Sequence, residues 1–213
     1  MKTIIDHFAT VIGLALAVTL LGCQGQPNPT ANKSNDQSTT PEPIEPAAIE
    51  PAPAAKDRRL QIAENAKEAL FKALSGRLME TIQAEGPVAA INVCSQEAAG
   101  IAETVGKEQG VQIGRTSFKL RNPDNAPREW VKPFVEQRVE TRQHLQLDDG
   151  NLGVLFPIRL DVKCLMCHGG PDDILDSVKP ELAKRYPDDN ATGFKQGDLR
   201  GWFWVEVPAQ NKN

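Results

Sequence analysis

Five residues constrain this chain more than any other segment: Cys164-Leu165-Met166-Cys167-His168. Two thiols three positions apart reach the two vinyl groups along one edge of a porphyrin, and a histidine directly after the second thiol is then directed at the iron. This is the CxxCH sequence of covalent c-type haem attachment. A chain that carries it must fold around a rigid, largely apolar plate. Two rival uses of the same residues are weaker. Half of a zinc site needs further cysteine or histidine ligands, and beyond residue 23 only Cys94 and His144 are left to supply them. A redox dithiol expects a thioredoxin-like βαβ setting, which this region lacks. The motif therefore predicts one covalent haem c, with Cys164 and Cys167 as thioether anchors and His168 as the proximal iron ligand.

The amino-terminal quarter reads differently. Lys2 precedes an apolar run from Phe8 to Leu21, shorter than the roughly 20 residues that cross a bilayer, as in a signal peptide. The run ends Leu20-Leu21-Gly22-Cys23, which resembles a bacterial lipobox, so Cys23 is expected to become a lipidated N-terminus after removal of residues 1–22. From 23 to 55 follows a tether that holds seven of the 16 prolines and no aromatic residue. It cannot bury enough apolar surface to offset its ordering entropy. Residues 56–213 are left as one domain. The expectation is an exported lipoprotein, held at a membrane and facing the periplasm or the cell exterior, since acyl chains in combination anchor stably.

Charge narrows the partners. Of a formal −4, the tether carries −3 through Lys33 against Asp36, Glu42, Glu45 and Glu50, so the domain is close to neutral. It lacks the basic surface that nucleic-acid binding requires. Four cysteines in an exported chain invite a disulfide framework. With Cys23 assigned to lipid and Cys164 and Cys167 to thioethers, Cys94 is left unpaired, and no intramolecular disulfide is expected.

Within the domain, Ala63, Ala66, Leu70, Leu74, Leu78 and Ile82 recur at three or four residues, predicting a helix over 58–84. Gly86-Pro87 stops it. A second helix is expected over 87–109, with Ile91, Cys94, Ala98, Ile101, Ala102 and Val105 on one face, which turns Cys94 inward. Strand-like pieces follow at 111–120, 143–147, 154–160 and 201–207, with short helices near 127–140 and 174–186. Helices first and an antiparallel sheet afterwards define an α+β class.

The second axial ligand is open on pattern alone. Met166 lies inside the attachment loop and cannot reach around the ring. His144 sits in the polar run Thr141-Arg142-Gln143-His144, Met79 borders the stripe of the first helix, and Cys94 faces inward. Met79 is also ordinary core filler, and Cys94 also an ordinary buried small hydrophobe.

Four separated motifs carry a resemblance that covers residues 60–208. They are Gly86-Pro87-Val88-Ala89-Ala90-Ile91-Asn92-Val93-Cys94; Gly114-Arg115-Thr116-Ser117-Phe118-Lys119-Leu120-Arg121-Asn122-Pro123 with Asn125 and Trp130; Pro157-Ile158 ahead of the CxxCH run and Gly169; and Tyr186-Pro187-Asp188-Asp189-Asn190-Ala191-Thr192-Gly193-Phe194 with Gly197-Asp198-Leu199-Arg200-Gly201. In these the chain resembles the c-type haem PAS-like domain family, found as stand-alone exported proteins and as extracytoplasmic sensor domains of histidine kinases and chemoreceptors. The resemblance implies long N-terminal helices packed on a central antiparallel sheet, and a haem ligated by His168 and the Cys94 thiolate. Unlike the signalling members, this sequence shows no kinase or receptor module.

A thiolate opposite a histidine favours ferric iron and a low reduction potential. Two filled axial positions leave no place for peroxide, so an enzyme is not expected. The expected role is a redox or small-gas (CO or NO) sensor in which Cys94 is displaced, with a signalling protein or redox partner. The alternative is a low-potential, membrane-tethered electron-transfer cytochrome. Arg115, Lys119, Arg121, Arg159 and Arg200 are candidate haem-propionate contacts, with Arg115 and Arg121 foremost. Thr116, Ser117, Asn122 and Asn125 read as turn organisers, and Asp188-Asp189-Asn190 as a polar turn rather than a calcium loop.

Overall fold

The computed structural model describes residues 53–209; the expected signal segment, Cys23 and the tether up to residue 52 lie outside the described residues. The domain begins with α1 (Pro53–Glu85), earlier than the stripe alone indicates, so its first turns take in the last residues of the expected tether. Ala63, Ala66 and Leu70 face inward and are fully buried. Gly86, at φ +90°, closes α1 in the left-handed conformation that glycine adopts readily.

The expected second helix is present but interrupted. A short α2 (Ala90–Asn92) runs into a π-helical turn, Val93–Glu97, before α3 (Ala98–Gln109) resumes. The Ala98 N–H donates to Val93 O, five residues back. Cys94 lies in this wide turn. Periodicity cannot show such an insertion, because one extra residue in a turn leaves the apolar stripe nearly continuous. Single π-turns inside α-helices often mark functional positions.

The sheet has four antiparallel strands in the order β1-β4-β3-β2, where β1 is Gln112–Thr116, β2 Gln143–Gln146, β3 Leu152–Arg159 and β4 Leu199–Val207. The class is α+β, as the sequence indicates. Period-two alternation gives the sheet two apolar faces. Leu152, Val154, Phe156, Phe203, Val205 and Val207 meet α1 and α3, while Leu155, Leu199 and Trp202 meet Val131, Val135, Phe118 and Trp130 on the other side. Here Glu206 is a buried acid that pattern does not disclose. It accepts from Trp130 Nε1 at 2.7 Å and pairs with Arg128 at 3.1 Å.

Strand β1 is shorter than expected because side chains take the chain out of the ladder. Thr116 Oγ1 donates to Asn125 O at 2.8 Å, and Ser117 Oγ donates to Arg200 O at 2.6 Å and accepts from Lys119 N at 3.0 Å. Asn122 Oδ1 accepts from Asp124 N at 3.0 Å, so these residues organise turns as expected. The helix expected near 127–140 is a 3-10 turn, Glu129–Val131, followed by a brief α4 (Lys132–Glu136). The remaining helices are α5 (Leu165–His168) in the cysteine motif and α6 (Lys179–Arg185).

β4 opens beside a bulge between Ile158 and Arg159. Gly201, at φ +157°, lets the Thr116 carbonyl approach so closely that a Cβ would stand 2.2 Å from its oxygen. Gly201→Ala is therefore expected to destabilise the domain by about 3 kcal/mol, combining strained backbone with overpacking. Urea unfolding measures this, and a cost below about 1 kcal/mol would contradict the close packing.

Candidate functional site

The attachment motif is held by what precedes and follows it. Asp161 caps a 3-10 turn, Val162–Cys164, which leads directly into α5, so Cys164 and Cys167 are one turn apart. The described cysteines, Cys94, Cys164 and Cys167, are free thiols. Cys164 packs on Leu160, Ala191 and Phe194, whereas Cys167 packs on Ile91, Ile174, Val178, Leu182 and Tyr186. The two sulfurs thus touch separate apolar clusters. Burial pushes the Cys167 thiol up to about 11.

His168 hydrogen-bonds through Nδ1 to the Ala191 carbonyl at 2.8 Å. A carbonyl only accepts, so Nδ1 carries the proton and Nε2 keeps its lone pair, the arrangement of metal-ligating histidines. Burial, reinforced by Arg121 and Arg200, holds His168 well below its ordinary value, so the ring is neutral.

Cys94 shares these surroundings. Burial pushes its thiol up, while Arg115, Arg121 and Arg200 each pull it down. The same three guanidinium groups act on His168. Burial in turn lowers Arg115, and lowers Arg200 to about 10. Cys94, Arg115 and His168 all keep some accessible surface, yet burial is the largest cause of each shift. The other candidate ligands are placed differently: His144 is exposed on β2, and Met79 is half-buried on α1.

The arginines are unequally engaged. Arg121 binds Asp189 through Nε at 3.0 Å and Nη2 at 2.9 Å, and Nη2 also donates to Cys167 O at 2.6 Å. Arg200 donates through Nη1 to Ser117 Oγ at 2.7 Å and to Lys119 O at 3.1 Å, and its Nε is buried without a partner. Lys119 donates to Thr192 O at 2.9 Å, and Arg159 pairs with Glu140 at 2.7 Å. Among the described residues, no three of His, Cys, Asp and Glu gather as a metal-ion cluster, so the three thiols and His168 are not arranged as zinc ligands would be. A CxxCH turn, an imidazole with Nε2 available, and an unpartnered Arg200 donor among several guanidinium groups suit a group that brings its own metal and acidic substituents. The residues present fit a covalent haem.

The family model named Tll0287-like matches residues 31–208. The chain belongs to the Tll0287-like family. A solved structure, that of the cyanobacterial haem protein Tll0287, aligns with a TM-score of 0.50 at 21% identity, covering 76% of this chain and 100% of that one. At that identity the likeness concerns the fold. A comparison with curated proteins finds no match. In this Tll0287-like domain, two site features escape sequence reading. One is the π-turn under Cys94. The other is Asp189, read from sequence only as part of a polar turn, whose Oδ1 accepts from Ala191 N at 2.8 Å while Oδ2 holds Arg121. The run of two acids beside Arg121 in the opposite motif was the available signal.

Proposed function

We propose that this Tll0287-like protein is an exported c-type haem protein, lipid-anchored through Cys23, that works as a redox or small-gas sensor. Its haem is bound through Cys164 and Cys167, with His168 and Cys94 as axial ligands, in a PAS-like domain. One observation carries the reading: an imidazole with Nε2 available and an inward thiol share the same three guanidinium groups. Family membership supports a haem, because Tll0287 is itself a haem protein. When bound, the group would supply a one-electron couple.

The chain's own residues do the rest. Ala191 fixes the orientation of His168. Arg115, Arg121 and Arg200 partly offset the burial that raises the Cys94 thiol, and with only Asp189 paired to Arg121 among the described residues they leave positive charge that would also meet haem propionates. Arg115 and Arg200 are the better propionate partners, since Arg121 already serves Asp189 and Cys167. Phe194 and Phe118 form part of the apolar wall beside Cys164. Sensing requires Cys94 to leave its place, and a π-turn is a suitable mount because it can relax to ordinary helix locally. Arg77 grips Glu97 at the end of that turn through two bonds of 2.7 and 3.2 Å, so movement there is felt on α1. Peroxidase-like turnover is not part of this reading, because His168 and Cys94 would both be committed to holding the iron.

The test compares visible and EPR spectra of the purified protein with those of Cys94→Ser. We expect loss of the thiolate-type low-spin ferric spectrum in the variant, and a spectral response of reduced wild type to CO or NO. An unchanged ferric spectrum removes the thiolate. Absence of any gas response removes the gas sensor and leaves a redox sensor or an electron carrier, which the reduction potential then separates.

A further inference from the structure

We propose that the buried Arg121–Asp189 pair is a positioning device that sets how strongly His168 donates to the iron, acting through the Ala191 peptide. The inference rests on the reading of His168 as an axial ligand. Its geometry is a closed set of contacts. Asp189 Oδ1 accepts from the Ala191 N–H at 2.8 Å, and Oδ2 accepts from Arg121 Nε at 3.0 Å and lies 2.9 Å from the charged Nη2. Arg121 Nη2 donates onward to Cys167 O at 2.6 Å, next to His168 in the chain, and to Ala191 O at 3.3 Å. That same Ala191 oxygen receives His168 Nδ1 at 2.8 Å. Both side chains of the pair are largely shielded, 9% and 11% exposed.

A buried ion pair contributes little net stability over well-packed apolar residues, so the choice of partners is informative. This pair grips the peptide that orients the imidazole and the carbonyl preceding it. A carbonyl that already accepts from a guanidinium is a poorer acceptor for Nδ1–H, and the imidazole then carries less anionic character. Asp189 works against this by offsetting the guanidinium charge. Hydrogen bonds to the far nitrogen of a ligating histidine tune its metal in this manner.

Opposite effects follow from the two ends of the pair. Arg121→Gln removes the cation and strengthens the Nδ1–H bond, so the midpoint potential should fall. Asp189→Asn keeps an acceptor for the Ala191 N–H but leaves Arg121 unopposed, so the potential should rise. Each change is expected to alter the redox equilibrium at least tenfold, equivalent to about 59 mV for one electron. Arg121→Lys keeps the charge and should lie closer to wild type than Arg121→Gln does.

Potentiometric titration of the haem-loaded full chain, with circular dichroism to verify folding, decides the matter. Shifts of opposite sign support the positioning role. Shifts of the same sign, or either shift below tenfold, overturn it, because a merely structural pair would loosen the loop alike from both ends. If Arg121→Gln does not accumulate, the sign from Asp189→Asn alone decides: a rise supports the inference, and a fall or no change overturns it. His168→Met in the same assay keeps the underlying reading separate. An unaltered spectrum there ends histidine ligation itself, whereas an altered spectrum with inert Arg121 and Asp189 variants ends only the positioning role.

Discussion

Replacing Trp202 with alanine is expected to cost about 5 kcal/mol of folding stability. Trp202 is fully buried on the face of the sheet opposite α1, and its Nε1 donates to Val139 O at 2.8 Å. Removing a buried tryptophan costs roughly 3–5 kcal/mol for lost transfer energy and the cavity left behind, and the orphaned hydrogen bond adds about 1. Against a total stability on the order of 5–15 kcal/mol, that is a large share. The position also links the sheet to the haem motif. The Trp202 ring meets Phe118 edge-on at 6.1 Å, Phe118 meets Phe194 at 6.1 Å, and Phe194 belongs to the cluster under Cys164. Trp202→Phe keeps most of the apolar contact and drops the N–H, so about 1–2 kcal/mol is expected. Urea unfolding of the haem-loaded protein measures both; a loss below about 2 kcal/mol for alanine contradicts the packing described.

How much of this was legible depends on the kind of interaction. The α1 stripe is readable because Ala63, Ala66 and Leu70 are buried by the same period that makes them one face. The strands are readable from alternation, as in Phe203, Val205 and Val207 against Trp202 and Trp204. The motif at Cys164, Cys167 and His168 is readable as a spacing, which the structure carries on one turn at α5. Element ends were less so. β1 stops at Thr116 because Thr116 and Ser117 bond to backbone 9 and 83 residues away, and such partners have no local trace.

The site shows the same division. Helical period places Cys94 inward, but its π-turn depends on displaced backbone hydrogen bonding such as Ala98 N–H to Val93 O. Arg115 and Arg121 were singled out for propionates, yet their neighbours separate them. Arg121 is committed to Asp189, 68 residues on, whereas no side-chain hydrogen bond or ion pair engages Arg115 among the described residues, and Arg200 retains a buried free Nε. Sequence identifies a cation; only the fold says which cations already have an anion.

Wild-type protein denatured in acidified organic solvent is expected to keep its haem on the polypeptide, and the double variant Cys164→Ala, Cys167→Ala to release it. The two sulfurs stand on different clusters, Cys164 with Leu160, Ala191 and Phe194 and Cys167 with Ile91, Val178 and Tyr186. On the proposed attachment they would be separately supported anchors, and each single variant should still retain haem through the thioether that remains. In the double variant only axial ligation and the arginine contacts would hold the group, and occupancy becomes a matter of mass action. Haem content should then fall on dilution and rise with added haem, whereas the wild-type ratio is indifferent to both. The comparison also separates attachment from ligation. If His168 and Cys94 are the ligands proposed above, the double variant still carries both, so protein reloaded at high haem concentration should regain the low-spin spectrum while remaining extractable. A double variant whose haem resists extraction would mean that neither sulfur of the CxxCH motif is the anchor.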